Sequence, residues 1–141
     1  MAEAAWASSV LQDVGDGTGY APTATLRADL ATTTSYVASS HVKVVGAKKI
    51  ALLLKITWVD STSTEWYVEW SHDGTTFYRS PNLSPSSGTN TVYVNSQTHA
   101  SGASVNICDS FDAEAAYMRV NVKKTGGVGA DKAEIIAQMR I

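Results

Sequence analysis

The chain is short of the residues that build reactive or metal-holding sites. It has one cysteine in 141 residues, Cys108, so neither an intrachain disulfide nor a thiolate metal cluster can form. Folding therefore does not depend on an oxidising compartment. Within Ser104-Val-Asn-Ile-Cys108 the thiol sits on a strand-like stretch, where a small buried hydrophobe is expected. The three histidines, His41, His72 and His99, are dispersed, and none has the spacing that brings two imidazoles to one metal. His72 falls in a turn and His41 on the polar side of an early strand. Charge is also scarce, at 17% of residues with a net −2, which argues against the broad basic face of a nucleic-acid binder. The longest apolar run, Ile50 to Leu54, is too short to cross a bilayer. The N-terminal residues lack the basic and apolar regions of a signal peptide. The expectation is a protein made in a cytoplasm, with neither a membrane nor a nucleic acid as partner.

Catalytic motifs are equally thin. No Gly-x-Ser-x-Gly elbow occurs, and Gly102-Ala-Ser104 is too short a likeness to one. Glu65 and Glu69 invite a glycosidase reading, but residues four apart on one strand face are about 13 Å apart at roughly 3.3 Å per residue. Retaining enzymes need about 5 Å and inverting ones at most about 9.5 Å. The pair reads instead as a solvated strand face with cross-strand partners such as Lys55 or Lys123. Asp13-Val-Gly-Asp-Gly-Thr-Gly19 has the look of a calcium loop but too few carboxylates and no closing Glu. A glycine-rich turn is expected there. No enzyme activity, cofactor or metal is expected.

What the chain does have is alternation. Residues 1–35 are rich in Ala, Thr, Ser, Asp and Gly and read as an N-terminal arm; residues 36–141 read as the folded body. In the arm, Trp6, Val10 and Val14 would share one face of a short helix stopped at Gly15. In the body, Ile50, Leu52, Leu54, Ile56 and Trp58 point one way, and Trp66, Val68 and Trp70 oppose Glu65, Tyr67 and Glu69. Val92 and Val94 alternate with Tyr93, and Val105 and Ile107 with Asn106 and Cys108. Met118, Val120 and Val122 oppose Tyr117, Arg119, Asn121 and Lys123. Ala133, Ile135, Ala137, Met139 and Ile141 close the series. Each segment has the period-2 signature of a strand with one wet and one buried face.

Adding strands near Tyr36–Val45 and Phe77–Arg79 brings the number to about eight, which predicts an all-β, antiparallel β-sandwich with a jelly-roll as the expected form. His72-Asp73-Gly74-Thr75 predicts a hairpin, because Asp-Gly supplies the positive φ of a tight turn. Residues 80–90 are expected to be a long loop, and 125–130 a hairpin between the last two strands. The core is expected to bring Trp66, Val68 and Trp70 against Ile50, Leu52, Leu54 and Val120 across the sandwich.

Trp66-Tyr-Val-Glu-Trp-Ser-His-Asp-Gly-Thr-Thr-Phe-Tyr78 resembles a strand, Ser-x-Asp-Gly, aromatic hairpin. Ala116-Tyr-Met-Arg-Val-Asn-Val122 resembles its companion strand. The pair is similar to discoidin-like jelly rolls and to small β-sandwich proteins of tailed-phage virions. The disulfide that often ties discoidin termini is impossible with one cysteine, and no aromatic spikes crown the loops. The Ala/Thr/Ser-rich arm resembles the phage proteins more. The resemblance implies a structural virion protein that decorates or cements a capsid, bound to a major capsid protein or another virion protein. It also implies a homo-oligomer, with a trimer as the first expectation. The alternative is a carbohydrate-binding module, because outward tyrosines can cover a neighbour, form a protein interface or stack on sugars. The residues expected to meet a partner are Trp6, Val10, Tyr20, Leu26 and Leu30 of the arm and Tyr67, Tyr93 and Tyr117 of the sheet.

Overall fold

The computed structural model describes residues 3–6, 23–60, 63–79, 81–83, 90–92, 95–98, 104–127, 129 and 131–140. In chain order the strands are β1 (Glu3–Ala4), β2 (Thr23–Ala31), β3 (Val37–Ala38), β4 (His41–Lys43), β5 (Lys49–Thr57), β6 (Ser63–Ser71), β7 (Tyr78–Arg79), β8 (Pro81–Leu83), β9 (Asn90–Val92), β10 (Asn95–Thr98), β11 (Ser104–Asp112), β12 (Tyr117–Thr125) and β13 (Lys132–Arg140). A large sheet runs β1-β4-β12-β6-β10, with β3 also on β12 and β7 also on β6; a small sheet runs β11-β5-β13-β2; β8 and β9 form a separate ribbon.

The long strands nest. β2 pairs with β13, β4 with β12, β5 with β11 and β6 with β10, all antiparallel. Along the chain these eight strands alternate between sheets, except that β6 and β10 are neighbours in the large one. A long hairpin wrapped in this way is a jelly-roll sandwich, the expected architecture.

One apolar cluster fills the space between the sheets. Ile50, Leu52, Leu54 and Ile56 of β5, Ala133, Ile135 and Ala137 of β13, and Ala24 and Leu26 of β2 come from the small sheet. Val42, Trp66, Trp70, Met118, Val120 and Val122 come from the large one. Trp66 and Trp70 are buried and Val68 is half-buried, so the face assignment of β6 holds. Val120, however, lies beside Val68 in the same sheet rather than across the sandwich.

Several expectations give way. Residues 23–31 are not part of an arm: β2 is the first strand of the roll, and Leu26 is buried at 3% exposure. The pairing of β2 with β13 slips at two places. β2 carries the extra residues, and such bulges free backbone groups. Arg27 meets that need: its Nε donates to Ala133 O at 3.1 Å, and its Nη2 to Leu30 O and Ala31 O at 3.3 and 2.6 Å. Burial pulls this guanidinium below its usual pKa. Trp6 follows an extended pair and not a helix turn; Val10, Val14 and the glycine-rich turn lie outside the described residues.

The expected strand at 36–45 is broken into β3 and β4. At the break Ser39 Oγ accepts the Val120 amide at 2.9 Å, and the Ser39 amide donates to Val120 O at 2.7 Å. Residues 125–130 do not form a hairpin. They carry the chain from the large sheet to the small one, since β13 pairs with β2 and β5 and not with β12. Gly126 and Gly127, at φ 72° and 76°, allow that turn because positive φ is unstrained only in glycine. The flanks of the expected 80–90 loop pair as β8 and β9. Cys108 is exposed, because Val105, Ile107 and Phe111 take the inward positions of β11.

The 125–131 end of the core is closed by polar groups. Trp58 Nε1 donates to Thr64 Oγ1 at 2.8 Å, and Lys124 Nζ to Gly129 O at 2.5 Å. Asp131 Oδ1 accepts the amides of Val59 and Asp60 at 3.0 and 3.3 Å.

Candidate functional site

The outer face of the large sheet gathers the ionic and aromatic side chains. It was expected to be wet, yet Tyr67 and Glu69 are buried at 2% and 6% exposure. The cause is what lies over them. The β6–β12 register sets Glu69 opposite Arg119 and Glu65 opposite Lys123, while β7 returns along β6 and sets Arg79 beside Glu69.

Glu69 is the centre. Its Oε2 accepts from Arg119 Nη2 at 2.8 Å and Nε at 3.1 Å, and its Oε1 accepts from Asn121 Nδ2 at 2.6 Å. Arg79 Nε lies 3.9 Å from Oε1, completing a cationic collar. Charge-assisted bonds of this kind are the stronger class, and here two guanidinium N–H groups converge on one carboxylate oxygen. Both oxygens of Glu69 are thus engaged by neighbouring donors.

Aromatic rings pack against each of the cations. The Arg79 guanidinium lies 3.9 Å from the Tyr67 ring centroid, and Arg79 Nη2 also donates to the Tyr67 hydroxyl. The Arg119 guanidinium lies 3.9 Å from the Phe77 centroid. Lys123 Nζ sits 3.5 Å from Glu65 Oε2 and 4.9 Å from the Tyr36 centroid. Tyr36 donates its hydroxyl to the same Glu65 oxygen at 2.9 Å and meets Tyr67 edge-on at 4.8 Å. Burial, then the hydrogen bond to a carboxylate, raise the Tyr36 pKa well above its ordinary value. Burial also raises that of Tyr67, with the Arg79 charge opposing it. Cations over ring faces and edge-to-face rings are mutually favourable geometries.

The face continues to the β4 edge. His41 packs 5.8 Å from both Phe77 and Tyr117, and its Nε2 lies 3.9 Å from Glu3 Oε2. At the β6–β7 turn, Asp73 Oδ1 accepts the amides of Thr75 and Thr76 at 2.9 Å, and the Ser71 hydroxyl at 3.0 Å. These bonds bring the Asp73 pKa down to about 2. Gly74 has φ 77° and lies against the Tyr117 ring; a Cβ there would sit 3.5 Å from it.

The expected partner-binding residues are divided. Tyr67 and Tyr117 share this face, but Tyr67 is sealed beneath Arg79, and Tyr117 is half-buried between His41 and Gly74. Trp6 is half-buried at the β4 edge, its Nε1 donating to Lys43 O at 2.6 Å. Leu26 is core of the other sheet, so it cannot meet a partner, and Leu30 stands 57% exposed near the end of the same strand. Val10, Tyr20 and Tyr93 fall outside the described residues or their described side chains. Lys55, expected beside the glutamates, is in the small sheet opposite Glu134 and Asn106.

Sequence reasoning passed over Tyr36, Phe77, Arg79, Arg119 and Asn121 as site residues. A signal was present for one of them. Glu65 and Glu69 are four apart, as are Arg119 and Lys123, and antiparallel pairing of equal spacings joins both pairs at once. Comparison with known proteins finds no matching family model and no matching curated protein.

Proposed function

We propose that this chain is a non-enzymatic structural protein of a tailed-phage virion, one that decorates or cements the head shell through contact with a major capsid or other virion protein. The observation that supports the reading is the outer face of the large sheet, where Arg79, Arg119 and Lys123 are held against Tyr36, Tyr67 and Phe77. Arg and aromatic residues are enriched in protein interfaces. Here Arg119 and Lys123 are already paired with Glu69 and Glu65 before any partner arrives. Less side-chain entropy then remains to be lost on binding.

Two nine-residue strands of about 30 Å flanked by shorter ones, five positions at about 4.8 Å, give this face at most roughly 700 Å². A stable contact uses about 800 Å² per partner, so one copy sits at the margin and several attached together bind far more tightly. That arithmetic supports attachment as a homo-oligomer; the trimer is the number that the resemblance to phage cement proteins implies.

A second reading, carbohydrate binding, draws support from Tyr78, which is 58% exposed with the His72 ring 6.5 Å away at the hairpin. One experiment separates the two. The purified protein is mixed with heads lacking it, from the phage whose genome encodes it, and sedimented. Saturable co-sedimentation at a fixed number of copies per head is expected. No co-sedimentation at micromolar protein, together with selective retention on a glycan array, would replace the first reading with the second.

A further inference from the structure

We infer that the edge of β4 is a strand-exchange site, at which residues 3–6 of a second copy can replace the chain's own. The contacts of this segment are few and well defined. Glu3 and Ala4 pair in parallel with His41 and Val42. Trp6 donates its indole N–H to Lys43 O, Glu3 reaches His41, and Ala4 and Trp6 pack against the edge of the core. Residues 3–6 thus bring a complete set of contacts to the β4 edge, and those contacts are the same whichever copy supplies the segment.

Among the described residues, no contact distinguishes the chain's own segment from that of a second copy, which leaves the covalent tether as the term in its favour. Sixteen residues, 7–22, join Trp6 to β2, and so many residues reach at most about 55 Å. That exceeds the roughly 30 Å length of a nine-residue strand, so the β4 edge of an adjoining copy lies within range. Exchange of identical elements leaves the contact energy unchanged. Covalent linkage through a short stretch of chain typically corresponds to an effective concentration on the order of millimolar. A ladder of two residue pairs also opens readily, because local opening free energies fall with the number of buried contacts. Copies held side by side therefore compete on equal terms with the tether, whereas dilute copies do not. The inference requires only copies of this chain and stands whether or not the shell-binding reading does.

The test uses two full-length variants in a Cys108→Ser background, one carrying Glu3→Cys and the other His41→Cys. They are mixed in equal amounts at about 1 mM, near the tether's effective concentration, in a thiol–disulfide buffer. Non-reducing electrophoresis with mass spectrometry then measures the products. Random collision yields twice as much mixed dimer as either homodimer. Exchange predicts a several-fold excess over that proportion, lost on roughly hundredfold dilution and reduced by adding Trp6→Ala to the first variant. Mixed dimer at or below the random proportion at both concentrations would overturn the inference. A chain carrying both cysteines serves as the control for register, since it should close on itself when dilute. Failure to close would show that the pairing itself is wrong, and would overturn the inference too.

Discussion

Trp58 and Trp66 are both buried, at 3% and 4% exposure, but their indole nitrogens are placed differently. Trp58 donates to Thr64 Oγ1, whereas Trp66 Nε1 has no acceptor among the described residues. A buried donor left without a partner costs about 1–3 kcal/mol. Trp58→Phe strands the Thr64 hydroxyl, while Trp66→Phe removes an unsatisfied N–H and loses only ring volume. Denaturant melts should therefore show Trp58→Phe destabilised more than Trp66→Phe, by about 1 kcal/mol or more; equal losses would mean that Trp66 finds an acceptor in solution. Asp73 offers a pH test. Its pKa is lowered in the folded state to about 2 by the Thr76, Thr75 and Ser71 hydrogen bonds, against about 3.9 for an unfolded Asp. A depressed carboxyl stabilises the fold above its unfolded pKa, and the contribution is lost as pH falls through the folded value. The hairpin tip should thus hold at pH 4 and loosen between about pH 4 and 2. Amide exchange at Thr75 and Thr76 reads this directly, and an NMR titration of Asp73 centred near 4 would contradict it.

The element that most changes the picture is β2. Deleting residues 1–30 removes nearly all of it, including the buried Ala24 and Leu26 and the Arg27 bonds across the bulges. Burial of Leu26 alone contributes about 1.5–3 kcal/mol. Truncation should lower the melting temperature of the isolated subunit by about 10 °C or more and leave β13 as an unpaired edge prone to association. Deleting only residues 1–6 should change it far less. Calorimetry of the two truncations decides, and an unchanged melting temperature without residues 1–30 would restore them as an arm. Why β2 escaped notice is physical. Its two bulges put Leu26 and Arg27 both inside, which erases period 2, and its single large apolar core residue makes a weak stripe. β5, β6, β12 and β13 keep regular registers, so their inward faces, and with them the sandwich, were legible. Gly126-Gly127 reads alike as a hairpin turn and as a crossing between sheets, because both need positive φ; only pairing partners distinguish them. At the candidate site, Lys123 against Glu65 was legible from alternation. Tyr36 and Phe77 were not, because they flank β3 and β7 rather than lie on a regular strand.

At the scale of the molecule, the nested pairing orders the folding problem. Trp66 and Asn95, partners in the innermost pair, are 29 residues apart, whereas Ala24 and Ala137 in the outermost are 113 apart. Loop-closure entropy rises as (3/2)RT ln n, so forming the outer pair first would cost about 1 kcal/mol more than the inner one. The difference is modest, but the outer pair also needs β5 as a neighbour, because β13 lies between β5 and β2. β2 therefore joins a stable ladder only once β13 has docked on β5, because an isolated two-stranded pair is marginal in water. Non-local sheets of this kind fold in milliseconds to seconds, leaving time for the order to be measured. Leu26→Ala should destabilise by about 2–5 kcal/mol, enough for a reliable φ-value. If β2 docks after the rate-limiting step, that loss appears almost wholly as faster unfolding, with a φ-value near zero. Val120→Ala, in the central β12 strand flanked by β4 and β6, should slow folding as well, with a fractional φ-value. Stopped-flow chevrons of the two variants make the comparison. A slower folding arm for Leu26→Ala, matching that of Val120→Ala, would show that the roll closes from its outer pair inward.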